Sequence, residues 1–439
     1  MRAEVPPVTV AVLHPALGEE AVRRRLRKRY ARERRFRRTC QAAAGLAVAA
    51  LVVLFTDVVG KGWGAFVAAE VRLEVFFDPE VLDPRASRDP DVLRFADYGR
   101  LWRESLLARF PEAAEDRASR RELAALVSDG ASYELQERVA ADPDLLGQRR
   151  TLWLPADDEV DLLLQGALAT PPGGQGRFSE RQLGWIDALR REGDLGLRPA
   201  TLFFRSGDSR EPELAGILGA AVGSFYTLLI TLALSFPLGV ATAVYLEELA
   251  PRNRWTDLIE VNINNLAAVP SIVFGLLGLA VFLNFFGLPR SAPLVGGLVL
   301  SLMTLPTIII AARVALTTVP PSIREAAYGL GATPLQVIQH HVLPLALPGI
   351  LTGTIIGMAR ALGETAPLLM IGMVAFIVDV PSGPLDAATA LPVQVFLWSD
   401  SPERAFVEKT SGAILVLLAF LILMNGAAVW LRRRAEQRW

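Results

Sequence analysis

The stretch EAAYGLGATPLQVIQHHVLP, residues 325–344, says more about this chain than any other twenty residues. It is polar and interrupted by turn-forming residues, yet it lies between two strongly apolar segments. Gly331 suits a sharp turn, and Thr333 followed by Pro334 is typical of a helix N-cap with proline at the first helical position. The pattern predicts two short helices joined by a turn.

The ends of this loop also carry helix signals. The S-x-x-E pattern from Ser322 to Glu325 fits a capping box, in which two side chains satisfy backbone N–H groups at a helix start. Leu343-Pro344 is expected to end the second helix before the next apolar segment. The whole loop then covers residues 320–345.

Apolar segments long enough to cross a bilayer dominate the rest of the chain. Its 439 residues would permit two or three soluble domains by length alone. A membrane crossing needs about 20 apolar residues, and such segments occur at roughly 41–59, 214–246, 257–286, 292–318, 346–378 and 411–431. The sequence therefore predicts an all-α polytopic membrane protein with six transmembrane helices, the first being a retained anchor.

Charge asymmetry orients these segments. Residues 21–38 hold eleven Lys or Arg side chains against one Glu. Such a run could bind nucleic acid, but it abuts an apolar segment, so we expect a cytoplasmic anchor in a lipid bilayer and no nucleic-acid partner. With residues 1–40 inside, six crossings return the arginine-rich tail 432–439 to the cytoplasm and leave residues 60–213 outside.

Residues 60–213 are expected to form a compact α+β domain. VRLEVFF, residues 71–77, alternates like a strand, whereas residues 100–126 and 132–140 carry Leu and Ala at helical spacing. The sequence does not indicate a ligand for this domain. A structural or docking role and a sensing or partner-binding role both remain open.

Few residues in the chain suit catalysis or metal binding. Cys40 is the only cysteine, so no intrachain disulfide forms, and the histidines His14, His340 and His341 lack metal-ligand spacing. There is no G-x-x-x-x-G-K-[ST] phosphate loop. We expect no metal, cofactor or catalytic residue on this chain, and any ATP hydrolysis on a separate subunit.

Polar side chains within the apolar segments are candidates for a substrate path. Arg360 and Glu364, in MARALGETAP, are four residues apart and share a helix face. They form either an ion pair that locks helices together, or an anion path in which Glu364 orients Arg360 and weakens its grip on the anion. Ser271, after a proline, either follows a kink or opens a half-helix that suits an anion. Arg313 either lines the same path or snorkels to the interface.

Residues from about 214 to 431, half of the chain, resemble the PstA family of phosphate importer permeases. The resemblance is carried by VPSIVFGL (269–276), the 320–345 loop, LPLALPGILTG (343–353) and ARALGETAPLL (359–369). The loop itself resembles the EAA loop of the wider class of ABC importer permeases, and we use that name for it below. The resemblance implies an importer permease core at 214–431 with a long N-terminal extension.

The same resemblance implies partners and site residues. An ATPase of PstB type would hold the ATP and dock on the EAA loop through Glu325, Ala326, Ala327, Gly331, Leu343 and Pro344. A second permease of PstC type and an extracytoplasmic phosphate-binding protein of PstS type would complete the complex in the bacterial inner membrane. Arg360 and Glu364 would be transport residues. His341 departs from the EAA consensus, which usually has an apolar residue there.

Other functions compete with phosphate import. Another oxyanion, such as sulfate, molybdate or a phosphonate, is the main rival, because only the ARALGETAP resemblance favours phosphate. A membrane sensor acting through residues 60–213 would need an output domain after the last span, where this sequence has only residues 432–439. An ion-coupled carrier leaves the EAA loop unexplained, and no Ser/His or paired-Asp arrangement supports an intramembrane hydrolase.

Overall fold

The structure is a computed structural model that describes residues 15–85, 87–166 and 177–435. The ends of the proposed cytoplasmic segments, residues 1–14 and 436–439, lie outside these ranges. The chain divides into two units, Met1–Val58 and Val59–Trp439. Most of the first unit belongs to one long helix, α1 (Pro15–Gly62), which contains both the basic run and the first apolar segment. Leu26–Phe66 is long and apolar enough to cross a membrane.

In the second unit, the chain up to residue 217 forms a small sheet covered by helices, which we call the extension. The three strands are antiparallel in the order β2-β1-β3. Its elements are β1 (Val67–Phe76), α2 (Pro79–Leu82), α3 (Pro90–Arg94), α4 (Tyr98–Arg109), α5 (Arg117–Ala124), α6 (Gly130–Ala141), β2 (Arg149–Pro155), α7 (Asp158–Leu164), α8 (Glu180–Glu192), β3 (Leu195–Pro199) and α9 (Thr201–Arg205).

The alternation in VRLEVFF decides which face of this sheet is covered. Val71, Leu73 and Val75 are buried and pack with helix residues such as Trp102 and Leu106 of α4. The intervening side chains of β1 point to the opposite face, as the period of two requires. The extension therefore has its own apolar core.

The remaining helices form the membrane part. They are α10 (Leu218–Val244), α11 (Arg254–Ala267), α12 (Ser271–Gly278), α13 (Pro293–Thr317), α14 (Pro321–Gly329), α15 (Pro334–Val337), α16 (Leu343–Gly363), α17 (Ala366–Met370), α18 (Leu391–Ser399) and α19 (Ala405–Ala435). Three π-helical segments extend them, at Tyr245–Leu249, Leu279–Phe285 and Ile338–Val342. In the described chain, five helices are long and apolar enough to span a membrane, or six if the bent pair α11–α12 is one span.

Two of the apolar segments are not straight spans. The segment 257–286 bends by 100° between α11 and α12. Pro270 lies at this break, where it lacks an N–H donor and restricts the residue before it. The segment 346–378 ends as a helix at Gly363, after which Glu364 is extended. Pro367 explains this end, because its ring would clash with the carbonyl of Gly363 if the helix continued.

The extension packs directly on the membrane helices. Phe203 of α9 is fully buried in a cluster with Trp398 of α18 and Phe406 and Ala413 of α19. The indole Nε1 of Trp398 also donates a 2.8 Å hydrogen bond to Asp208. These contacts join the extension to the beginning of α19.

Small residues bring α13 and α16 close together. A Cβ atom on Gly353 would collide with the Cβ of Ala311, and one on Gly349 would come within 2.7 Å of the Cβ of Ala315. Small residues four apart allow this backbone approach in membrane helices. The two helices therefore run antiparallel in a fixed register.

Enlarging the side chain at this contact should destabilise the fold. We expect Gly353→Leu to lower the free energy of unfolding by about 1–3 kcal/mol, because the added atoms overlap Ala311. Thermal unfolding of the purified protein in detergent measures the effect. Gly426→Leu is the control, since a Cβ there meets nothing within 4 Å. Equal melting temperatures for the two variants would contradict the close packing.

A buried carboxyl in the extension should make stability depend on pH. Burial raises the pKa of Glu213 from 4.5 to about 7, even though Ser128 donates a hydrogen bond to it. Between pH 4.5 and 7 the unfolded chain releases this proton while the folded chain retains it, so stability falls as pH rises through this window. The expected loss is at most about 3 kcal/mol.

Glu213→Gln should flatten this slope and raise the melting temperature at pH 8, because the amide is neutral and still accepts from Ser128. Thermal unfolding between pH 4.5 and 8 measures both effects. Glu115→Gln, at an exposed site of the extension, is the matched control. An unchanged slope in Glu213→Gln would show that Glu213 is ionised in the folded protein.

Candidate functional site

The EAA loop folds as two short helices joined by a turn, which confirms the prediction from its sequence. Gly331 has a φ of +85°, a conformation that favours glycine, and separates α14 from α15. Thr333 caps α15 in a capping box with Gln336, and Pro334 occupies the first turn. Local sequence signals therefore decide the shape of the second half of the loop.

The predicted capping box at Ser322 is wrong. The N-cap of α14 is Pro320, which makes no side-chain cap hydrogen bond, and Pro321 follows it. Proline is favoured at a first helical position because its missing N–H needs no partner there, so the helix begins before Ser322 can act as a cap. Glu325 is left exposed and is not used to start the helix.

Leu343-Pro344 does not end a helix, contrary to the prediction. Pro334–Gly363 is one candidate span, with the π-helical segment Ile338–Val342 directly before Leu343. In a regular helix the ring of Pro344 would clash with the carbonyl four residues earlier, and a π-turn at this place changes that spacing. His341 lies in the π-helical segment with an exposed side chain.

The EAA loop has one anchored face and one exposed face. Ala327 is buried in a cluster with Val319 and Val337, whereas Glu325 and Ala326 are exposed. Apolar side chains are also exposed on the loop, namely Tyr328, Leu330 and Leu335. An exposed apolar patch on an anchored loop is typical of a protein-binding surface.

The intramembrane pair Arg360 and Glu364 is formed. Arg360 Nε lies 3.2 Å from Glu364 Oε1. The Arg360 side chain is 54% exposed in the single chain, whereas that of Glu364 is 19% exposed. Among the residues that the structure describes, the guanidinium donates no other hydrogen bond, so most of its donor edge is open.

Ser271 lies at the same end of the membrane helices as this pair. A Cβ on Gly275 of α12 would touch Pro367 of α17, and one on Gly278 would touch Ile371. The two short helices therefore run in the same direction. Because Gly275 faces Pro367, Ser271, four residues earlier at the first position of α12, lies toward the end of α17 that follows Glu364.

Arg313 is not brought to Arg360. In the antiparallel register of α13 and α16, Arg313 lies opposite residue 351, so Arg360 is about 14 Å further along the helix at about 1.5 Å per residue. Arg313 Nη2 instead lies 2.8 Å from Glu260 Oε1, and its Nε lies 3.4 Å from Glu247 Oε2. Two carboxylates thus already accept from this guanidinium.

A second arginine near Arg313 is paired in the same way. Arg324 of α14 contacts both carboxylate oxygens of Glu248, at 2.6 and 3.2 Å. Sequence reasoning missed Glu247, Glu248 and Glu260. The signal was present in YLEELAP, where two adjacent acids close an apolar segment, but their partners lie more than 50 residues away.

Within the described ranges, no group of three or more His, Cys, Asp or Glu side chains is arranged to hold a metal ion. The candidate functional site therefore consists of the exposed face of the EAA loop and the Arg360–Glu364 pair.

Comparison with known proteins identifies the family. Residues 235–438 match the binding-protein-dependent transport system inner membrane component. A probable ABC transporter permease protein of Bacillus subtilis, YqgH, is 33% identical over 48% of this chain and 70% of its own length. This chain belongs to that permease family.

Other similarities extend this result. The phosphate transport system permease protein PstA 1 of Mycobacterium tuberculosis is 34% identical to the permease over 52% of this chain and 73% of its own length. A structure of the MetNI methionine ABC transporter aligns with a TM-score of 0.40 and 19% identity, over 49% of this chain and 95% of that one. Residues 23–170 match a domain of unknown function, DUF3333. By its family and its relatives the protein is a mostly helical permease of a binding-protein-dependent ABC transport system, with an N-terminal extension.

The positive φ of Gly331 should govern the rigidity of the EAA loop. We expect Gly331→Ala to speed amide hydrogen exchange at residues 328–337 about fivefold, because a left-handed alanine costs about 1 kcal/mol. Gly329→Ala is the matched control, since neither glycine has an atom within 4 Å of its Cβ position and Gly329 is helical. Equal exchange in the two variants would contradict the argument.

Proposed function

We propose that this permease translocates inorganic phosphate inward as the PstA-type subunit of an ATP-driven importer. The observation that carries the proposal is the guanidinium of Arg360, which is held on one edge by Glu364 and otherwise open. A guanidinium presents parallel donors that match the oxygens of phosphate. The 34% identity to PstA 1 supports phosphate in particular.

Glu364 has a second role in this proposal. A lone arginine in an apolar surrounding would bind a divalent anion too tightly for release, and conduction requires sites that an ion can also leave. The carboxylate of Glu364, 3.2 Å from Arg360 Nε, repels the anion and limits its affinity. Ser271, at the beginning of α12, adds a hydroxyl and backbone N–H groups to the same region.

The EAA loop is the proposed docking site for a separate ATPase of PstB type, which holds the ATP. Glu325, Ala326 and Gly331 lie on the exposed side of the loop, and Ala327 anchors it. Leu343 and Pro344 lie at the beginning of α16 and pass the motion on. Arg313, with two acidic partners, is proposed as a substrate-path residue at the inner end of α13.

The proposed topology places residues 60–213 outside and both termini in the cytoplasm of a bacterial inner membrane. Its support is the basic run before the first span and the layout of α10, which begins beside α9 of the extension and ends near the EAA loop. A phosphate-binding protein of PstS type delivers phosphate from outside. A second permease of PstC type forms the other wall of the path.

The experiment is phosphate uptake in a bacterial strain that lacks its own permease subunit. The permease is expressed with its ATPase, second permease and binding protein. We expect uptake of phosphate but not of sulfate, and at least a tenfold loss in Arg360→Gln, because the anion loses its cationic partner. Arg252→Gln, at an exposed site, is the control and should keep wild-type uptake.

The possible outcomes separate the parts of this proposal. Uptake that survives in Arg360→Gln would reduce the Arg360–Glu364 pair to a structural ion pair. Sulfate, molybdate or phosphonate uptake in place of phosphate uptake would reassign the substrate. Uptake without the ATPase subunit would contradict an ATP-driven importer.

A further inference from the structure

Two partly buried guanidinium groups, those of Arg313 and Arg324, connect the EAA loop to the membrane helices. Arg324 lies on α14, directly before Glu325, and its side chain is 20% exposed. Its Nη2 and Nε donate to the two carboxylate oxygens of Glu248, at 2.6 and 3.2 Å. This two-point contact fixes the carboxylate in orientation as well as in distance.

Arg324 also holds the end of α13. Its Nη1 donates to the carbonyl of Val319 at 2.7 Å, and its Nη2 donates to the carbonyl of Leu316 at 3.0 Å. Carbonyl groups at a helix end lack partners within the helix. A single side chain of α14 therefore contacts both the end of α13 and the segment that follows α10.

Arg313 of α13 forms a similar set of ion pairs, next to that of Arg324. It projects from α13 to Glu247 and to Glu260 of α11. The two arginines thus join α14 and α13 to the adjacent acids Glu247 and Glu248, and Arg313 joins α13 to α11 through Glu260. We call Arg313, Arg324, Glu247, Glu248 and Glu260 the charge link.

The two adjacent acids of the charge link lie in the π-helical segment Tyr245–Leu249. It contains both Glu247 and Glu248, which serve arginines on different elements. Insertions of a π-turn in helices occur frequently at functional positions. The acid side chains are 23% and 10% exposed, and partial burial makes such ion pairs stronger than pairs in open water.

We propose that the charge link makes α14, α13, α11 and the end of α10 move as one body, and that Arg324 is a positioning residue that transmits motion from the EAA loop to the helix pair α11–α12. This inference rests on the proposed docking of an ATPase on the EAA loop. The exposed face of α14 receives the motion, whereas Arg324 points the other way into the protein. Through α11 the motion reaches α12, which packs on α17, the short helix that follows Glu364.

The test measures transported phosphate per ATP hydrolysed in the full importer complex, reconstituted in vesicles. We expect Arg324→Gln and Glu248→Gln each to lower this ratio at least fivefold. The double variant should lose no more than the stronger single variant, because both remove the same contact. Arg252→Gln, an exposed arginine on the same loop side, should keep the wild-type ratio.

A merely structural role of Arg324 gives a different result. It would lower the amount of assembled complex but leave the ratio of phosphate to ATP unchanged in the complex that remains, and this would overturn the proposal. Losses that multiply in the double variant would also overturn it. If Arg324→Gln does not assemble, Glu248→Gln decides, since it leaves both carbonyl contacts of Arg324 in place.

A second measurement separates this proposal from the choice of substrate. Amide hydrogen exchange at residues 254–267 is compared in the complex with and without a non-hydrolysable ATP analogue. We expect the analogue to change exchange there in the wild type and not in Glu248→Gln. If the wild type transports no phosphate but shows this change, the substrate assignment fails and the charge link stands. If α11 responds equally in both proteins, the charge link fails whatever the substrate is.

Discussion

The cost of an unpaired charge in a membrane governs the arrangement of this permease. A lone arginine or glutamate in hydrocarbon costs several kcal/mol, and Arg313, Arg324 and Arg360 each lie within 3.4 Å of a carboxylate. At the EAA loop end, two arginines are paired with three acids. Arg360 and Glu364 form another pair. The arginine side chains of the first group are 20% and 25% exposed and already donate to carboxylates, whereas the Arg360 side chain is 54% exposed and has donors open to an anion.

Prolines account for the places where the membrane helices depart from straight spans. Pro270 and Pro367 each remove a backbone donor and forbid the regular helix at the residues before them. The first separates α11 from α12, and the second ends α16 beside Glu364. Both breaks expose helix ends inside the membrane part, where backbone groups become available to a substrate. Pro344 has a milder effect, because a π-turn precedes it and the helix continues.

The sequence predicted best those features that depend only on residues close together in the chain. The turn at Gly331 and the cap at Thr333 depend on single residues and their neighbours, and both were predictable. Arg360 and Glu364 could be paired because four residues make one helical turn. The capping box predicted at Ser322 was wrong, because Pro321, at the previous position, starts the helix without a side-chain cap. The charge link was not predictable, since its partners are separated by 53 to 76 residues and meet only when the helices pack.

The extension is packed tightly on the membrane helices. Phe203 of its α9 is buried against α18 and α19, and the hydrogen bond from Trp398 to Asp208 is itself buried. Breaking such a bond without a replacement costs about 1–3 kcal/mol, so a movement of these two helices away from the extension carries that cost. Because α10 begins beside the extension and ends at the charge link, a displacement of α14 has a continuous packed route along α10 to the extension. A domain joined to the membrane helices only by a flexible linker would lack this packed connection. The extension is therefore in a position to resist or favour a movement of α10 and α14.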